Sequence, residues 1–284
     1  MARQPSISVN ATESDLNGSS LYGDDFPPDQ IAKWYAQEET GYLDLMTNYY
    51  RSTDSQGNYE YEYEALNRFH AFKLLSTRQY SCCVALGCAA GDDVAPLSPV
   101  VQEFVGIEPA EKWWRSEIGG KPARYIKPTV IGDIPLDANS VELATSFGVL
   151  HHIPNVSHVI GEIARVLRPG SLFVVREPIS WMGDWRRPRP GLTRNERGIP
   201  LKWFERTASE KGFRIIRRRL CTINGLSAVA NRLGLSRPFS RMPFVAVDWI
   251  ASECLRWNLH YRRDTTMKKV APGSAFWILQ RLPD

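Results

Sequence analysis

The chain has 284 residues, 43% of them hydrophobic, enough for one sizeable core with appendages. Its formal charge of +4 is too mild to argue by itself for nucleic acid, and no apolar run reaches the roughly 18 residues that cross a bilayer. Five cysteines, odd in number and without metal-finger spacing, argue against a disulfide framework and for a reduced, cytoplasmic setting with no metal.

Met1 to Asp25 is polar, rich in Ser, Asn and Asp, and lacks the basic start and apolar segment of a secretory signal. Residues 1–28 therefore read as a disordered lead-in. Pro27-Pro28-Asp29 marks a helix start, and Ile31 to Asn48 is expected to be helical, with Trp34, Leu45 and several tyrosines able to cover a pocket. Tyr50 to Tyr59 reads as a loop. Glu60 to Arg78 reads as a second helix whose apolar side holds Leu66, Phe69, Phe72, Leu74 and Leu75. Residues 29–80 thus form an N-terminal helical cap.

From residue 81 to the end, strands and helices alternate. Strand Cys82–Leu86 precedes helix Asp93–Val101, and strand Phe104–Ile107 precedes a short helix around Ala110–Glu117. A weak strand near Tyr125–Val130 follows, then strand Val141–Phe147, helix Val156–Leu167, the separating turn Arg168-Pro169-Gly170 and strand Ser171–Arg176. A Pro-, Arg- and Gly-rich loop occupies 181–200. Helix Leu201–Lys211, strand Phe213–Cys221, a largely helical stretch over 224–272 and a last strand Ala275–Leu279 complete the chain. The fold class is α/β: a mostly parallel sheet with helices on both faces.

The turn after the first strand reads Gly87-Cys88-Ala89-Ala90-Gly91, and the second strand ends on Glu108-Pro109. A strand, a glycine turn, a helix and a strand ending in an acid make a nucleoside-binding half-fold, with the acid placed for ribose hydroxyls. A dinucleotide enzyme would put pyrophosphate on the next helix N-terminus, which Asp92 and Asp93 oppose by charge.

Gly132-Asp133-Ile134-Pro135-Leu136 and Ser146-Phe147-Gly148-Val149-Leu150-His151-His152-Ile153-Pro154 follow in order. With the glycine turn, they resemble the class I (Rossmann-like) S-adenosylmethionine-dependent methyltransferases, in particular the small-molecule enzymes of the type 11 group, over roughly Ser81 to Pro178. The resemblance implies a seven-stranded sheet closed by an antiparallel C-terminal hairpin, with 224–272 as an insertion in that hairpin. It implies S-adenosylmethionine as cofactor, with Gly87, Cys88, Ala89 and Gly91 as its turn and Glu108 and Pro109 at its ribose. Asp133 would face the adenine amino group, Ile134 would supply a neighbouring backbone N–H, and Ser146 and Phe147 would stand beside the methyl group. The chain departs from the pattern where the family commonly has an acid, at Ala85, and a glycine, at Ala89. Alanine at 89 fits the turn if its φ is negative.

Methyl transfer needs alignment and water exclusion, and a hydroxyl acceptor must also lose a proton. His151 and His152, at the carboxyl end of a central strand, are the candidate bases, His151 preferred; loop packing is the alternative. Trp185, Arg186 and Arg189 suit an anionic or sugar-like small-molecule acceptor, against the plainer reading of a solvated basic face. Base-amino methylation of nucleic acid is disfavoured, because Ser146-Phe147-Gly148-Val149 stands where its motif, an aspartate, asparagine or serine followed by two prolines and an aromatic residue, belongs, and it lacks both prolines. Two other readings stay open: a fold kept for binding without turnover, and an RNA methyltransferase.

Overall fold

The computed structural model describes residues 11–48, 61–184, 187, 189 and 191–283. Among them eight strands form one sheet in the order β3-β4-β2-β1-β5-β6-β8-β7. They are β1 (Tyr80–Leu86), β2 (Val101–Ile107), β3 (Glu117–Ile118), β4 (Lys121–Ile126), β5 (Val141–Phe147), β6 (Leu167–Pro178), β7 (Phe213–Cys221) and β8 (Ser274–Arg281). The strands from β4 through β6 run parallel, while β8 pairs antiparallel with both β6 and β7. The eighth strand is the short β3, hairpinned onto β4. The chain runs from β1 outward to β2 and β4, then returns to the other side of β1 with β5. Ligands of open α/β sheets bind at the carboxyl ends beside such a reversal.

Eight helices accompany the sheet among the described residues. They are α1 (Glu13–Asn17), α2 (Pro28–Asn48), α3 (Glu64–Asn67 continuing through a π turn, Arg68–Phe72, into Lys73–Leu75), α4 (Val156–Val166), α5 (Leu201–Glu210), α6 (Asn224–Arg232), α7 (Met242–Cys254) and α8 (Thr266–Lys269). Successive side chains of a strand point to opposite faces, so each buried strand feeds two cores. Val84 and Leu86 of β1 join a core with α4 and α5, while Cys83 and Ala85 join another with α3. Helix α4 shows why it lies flat on the sheet: Val156, Val159, Ile160, Ile163 and Ala164 are all buried, at helical spacing.

Several expectations are corrected. The lead-in is folded from residue 11 onward, residues 1–10 lying outside the described part. Thr12 and Asp15 cap α1 reciprocally, Leu21 and Tyr22 are buried, and the Asp24 carboxylate accepts the Ser157 amide at 2.7 Å in the first turn of α4. A polar average concealed three apolar residues, Leu21, Tyr22 and Phe26, of which Tyr22 and Phe26 pack around Trp34. The loop expected over Tyr50–Tyr59 also lies outside the described residues.

No α-helix follows β1. Residues 93–100 make turns and one short 3-10 segment, Ala95–Leu97, because Pro96 and Pro99 cannot donate helical hydrogen bonds. The helix expected at Ala110–Glu117 shrinks to a 3-10 turn, Glu111–Trp113, and the weak strand sits earlier, at Lys121–Ile126. Strand β6 starts at Leu167, without the separating turn, and absorbs the extra residues as an irregularity opposite Val141–Leu143.

Candidate active site

Three chain reversals meet at the carboxyl ends of β1, β2 and β5. Gly87 (φ +59°), Ala89 (φ +45°) and Gly91 (φ +87°) all adopt the left-handed conformation. A Cβ at Gly87 would stand 2.4 Å from a Val149 methyl, and one at Gly91 2.5 Å from an Ile118 methyl, so glycine is required at both. Ala89 is the exception: the negative φ on which an easy fit of alanine depended is not adopted. An alanine there stores roughly 1–2 kcal/mol of strain. Glu108 holds it in place: its carboxylate accepts the Ala89 amide at 3.0 Å and the Ala110 amide at 2.9 Å. Burial pushes the Glu108 carboxyl above the usual carboxylate range, and those two amides pull against the shift.

These reversals border a cleft of about 1040 Å³, roughly the upper limit for a ligand pocket and large enough for a nucleoside cofactor with an acceptor beside it. Its floor is Gly87 to Ala90 and Glu108 to Ala110, its far wall Phe147 to Val149, and its roof α2, through Tyr35, Glu38, Glu39 and Tyr42. The donor set suits S-adenosylmethionine: each Glu108 oxygen accepts one amide and retains acceptor capacity for a ribose hydroxyl. With no helix after the turn, and with Asp92 and Asp93 on the cleft wall, the site has no cradle for a pyrophosphate.

The adenine expectations do not hold in the form given. The Asp133 carboxylate bonds His158 Nε2 at 2.8 Å, and the Ile134 amide is donated to Glu162 at 2.9 Å. Here the cleft wall is Lys127 to Val130 and Gly132. Phe147 is on the wall. Ser146 is not: its hydroxyl is buried with no hydrogen-bond partner.

The two histidines separate. His151 turns away from the cleft, its Nδ1 2.7 Å from Glu177, whose other oxygen accepts the Val149 and Leu150 amides. This group fastens the loop after β5, so the preference for His151 is overturned. His152 lines the cleft, its Nδ1 2.8 Å from Glu38. Glu38 is a residue that the sequence reading missed; it also accepts from the Thr193 hydroxyl at 2.5 Å and the Asn195 amide at 2.9 Å. Burial works against a charged imidazole, yet the Glu38 hydrogen bond and the charges of Glu38 and Glu196 hold the His152 pKa above the ordinary value. Glu38 moves the opposite way: burial opposes its charge, but its bonds to His152, Thr193 and Asn195 lower its pKa. Ligand atoms of His151, His152 and Glu196 lie within 4.8 Å of one another, a spacing that a cation could bridge. Both imidazole Nδ1 atoms are already bonded to carboxylates, and Glu196 accepts the Thr193 amide and hydroxyl.

Of the acceptor residues, Trp185 and Arg186 lie outside the described residues. Arg189 is described, and its guanidinium donates to the carbonyls of Met182, Thr193, Arg194 and Glu196. It shapes the loop rather than facing an acceptor. Arg197, fully buried, likewise donates to the carbonyls of Tyr22, His151 and Pro154.

A different arginine stands next to the cleft. Arg176 near the end of β6 is buried, donates to Asn67 Oδ1 and the Tyr61 hydroxyl at 3.2 Å each, and lies 4.2 Å over the Tyr63 ring. No carboxylate among the described residues pairs with it. Its Nη2 lies just behind the cleft wall, 3.7 Å from where a Cβ on Gly148 would be. Asp93, buried on the same wall with Oδ1 unpartnered, is pushed up to about 7 by burial, the Arg176 charge acting against the shift. The detectable signal was a charged pair, Arg176-Glu177, ending the apolar run Leu172-Phe173-Val174-Val175.

Comparison with known proteins bears on the domain and the fold. Residues 84–175 match a methyltransferase domain family. A 37.1 kDa protein of a Streptomyces fradiae transposon is 27% identical over 154 residues, 52% of this chain and 40% of that protein. A Mycolicibacterium smegmatis protein designated an S-adenosylmethionine-dependent methyltransferase is 27% identical over 96 residues, 32% of this chain and 36% of its own length. The matches thus span less than half of these relatives. Among solved structures, the 4+2 cyclase SpnF is similar in fold, with a TM-score of 0.54 at 15% identity over 91% of this chain and 98% of the cyclase.

Proposed function

We propose that this chain, whose residues 84–175 match a methyltransferase domain, is a class I S-adenosylmethionine-dependent methyltransferase that methylates a hydroxyl of a small anionic or sugar-like molecule. One observation carries the reading: a single cleft is bordered by Glu108 and the glycine turn at one end and by His152 with its Glu38 partner at another. The cofactor, when bound, supplies a methyl group on a sulfonium leaving group.

The chain's own residues do the rest. Glu108 accepts hydrogen bonds from ribose hydroxyls, and the turn at Gly87 lets backbone approach without a side chain between. Helix α2 roofs the cleft and excludes water, which would otherwise compete with the acceptor. Neutral His152 donates Nδ1–H to Glu38, which leaves Nε2 free to take the proton of an acceptor hydroxyl. A histidine oriented in this way by a carboxylate is a better base than a free one. Arg176, a buried cation with no carboxylate paired to it among the described residues, is the anchor we assign to the acceptor's anionic group. The five cysteines are all free, which fits a reducing, cytoplasmic compartment.

The test is calorimetric titration with S-adenosylmethionine and S-adenosylhomocysteine, followed by an acceptor screen that reads S-adenosylhomocysteine release. Micromolar cofactor binding, lost in Glu108→Ala, together with turnover on hydroxylated anions, would support the reading. Cofactor binding without turnover on any acceptor favours a second reading, a methyltransferase fold used for something other than methyl transfer. Strained Ala89 and the missing helix after β1 are the observations that favour it. Salt-sensitive turnover on RNA would overturn the small-molecule acceptor.

A further inference from the structure

The hairpin insertion, residues 224–272, contributes no lining residue to the cleft described above. Of eleven large apolar side chains exposed among the described residues, seven fall in this segment. On α7 the outward positions are Pro243, Val247, Ile250 and Cys254, spaced 4, 3 and 4 residues apart, so they share one stripe. Trp257, in the following 3-10 turn, is 71% exposed. The opposite face of α7 is covered: Val245, Asp248 and Ser252 are buried, and the helix packs on β7. Helix α6 adds Val229 and Leu233, the latter 81% exposed.

Charge in this segment is one-sided. Residues 224–272 hold eight Lys and Arg against three Asp and Glu, an excess of five in a chain whose total is +4. All three acids are engaged: Asp248 accepts the Thr222 and Ile223 amides, Glu253 accepts the Leu220 amide, and Asp264 pairs with Lys268. Cations remain outside, with Arg232, Arg241, Arg256 and Lys269 all exposed.

We propose that this face docks on an anionic lipid surface, with Val247, Ile250 and Trp257 entering the headgroup region and the flanking arginines meeting lipid phosphates. No helix among the described residues is long and apolar enough to cross a membrane, so the docking is peripheral. A contact between two copies of the same face would set an excess of five positive charges against itself. A nucleic acid would meet aliphatic side chains where it needs cations. An anionic leaflet satisfies the apolar stripe and the basic flank together.

The experiment is co-sedimentation of the full chain with phosphatidylcholine vesicles, with and without phosphatidylglycerol, at low and high salt. Expected are binding to the phosphatidylglycerol vesicles, a severalfold fall at high salt, and blue-shifted tryptophan emission on binding. Val247→Asp with Ile250→Asp should weaken binding by about tenfold or more while thermal melting stays unchanged. Should that pair unfold the insertion, Arg232→Gln with Arg241→Gln and Arg256→Gln leaves the apolar stripe intact and should abolish the preference for phosphatidylglycerol. Equal binding by all variants overturns the proposal, as does no vesicle binding by the wild type. If the wild type then scatters light as a dimer that Val247→Asp with Ile250→Asp splits, the face is an interface between copies instead.

Discussion

The two ends of the cleft are built by different means. At the cofactor end, Glu108 and the amide it fixes at Ala89 are 19 residues apart, and both lie in adjacent strand ends of one local unit. At the acceptor end, Glu38 reaches His152 across 114 residues and Asn195 across 157, and Arg176 meets Asn67 across 109. The first end is made of turn backbone and one side chain, Glu108, within a short stretch of sequence. The second is made of side chains brought together by α2, α3 and the loop before α5, and it exists only when the whole fold does. In the function proposed above, local units carry the cofactor and the surrounding fold carries the choice of acceptor.

Changes at the local end should be the most damaging. Glu108→Ala removes the proposed ribose acceptor and frees the Ala89 and Ala110 amides. Two charge-assisted hydrogen bonds correspond to about 3 kcal/mol, so S-adenosylhomocysteine affinity should fall by roughly a hundredfold in calorimetry. Unchanged affinity would remove Glu108 from the site. Gly87→Ala, with its Cβ 2.4 Å from Val149, should cost about 2 kcal/mol of stability in a denaturant melt. A neutral result would mean that the loop after β5 yields, and that the turn is less rigid than its geometry implies.

At the assembled end, pH is the sharper probe. The raised His152 pKa contributes stability in full below the ordinary 6.5, lost as pH rises through the folded value. The lowered Glu38 pKa contributes in full above the ordinary 4.5, lost as pH falls through its folded value. The pair should therefore stabilise α2 most between about pH 4.5 and 6.5, and Glu38→Gln should flatten the profile of melting temperature against pH in that window. Turnover should show the opposite trend, rising with pH as His152 loses its proton, and His152→Gln should abolish that limb. A profile that His152→Gln leaves intact would assign the proton elsewhere.

Arg176→Met should separate stability from function. Replacing a buried cation with an apolar chain of similar volume is often neutral or stabilising, so melting should hold or rise while acceptor KM increases and cofactor affinity does not change. A fall in cofactor affinity instead would move Arg176 to the other end of the cleft. Ala89→Gly should have the smallest effect, a gain of about 0.5–1 kcal/mol, as relief of the left-handed strain is partly offset by glycine's greater freedom when unfolded.

The sequence by itself determined what depends on short-range pattern. Strand β5 at Val141–Phe147 and strand β7 at Phe213–Cys221 matched residue for residue, because alternation and apolar runs are local properties. The glycine turn and Glu108 were legible for the same reason. Local reading failed where an average hid a few residues, as at Leu21 and Tyr22, or where two prolines counted for more than helical spacing, at Pro96 and Pro99. Only the tertiary structure decided the acceptor end. Whether His151 or His152 faces the cleft depends on which ring finds Glu177 and which finds Glu38. Whether an arginine binds carbonyls, as Arg189 does, or remains a buried cation behind a glycine, as Arg176 does, depends on partners more than a hundred residues away or on loop closure. Side-chain identity sets which bonds are available, and packing sets which of them are made.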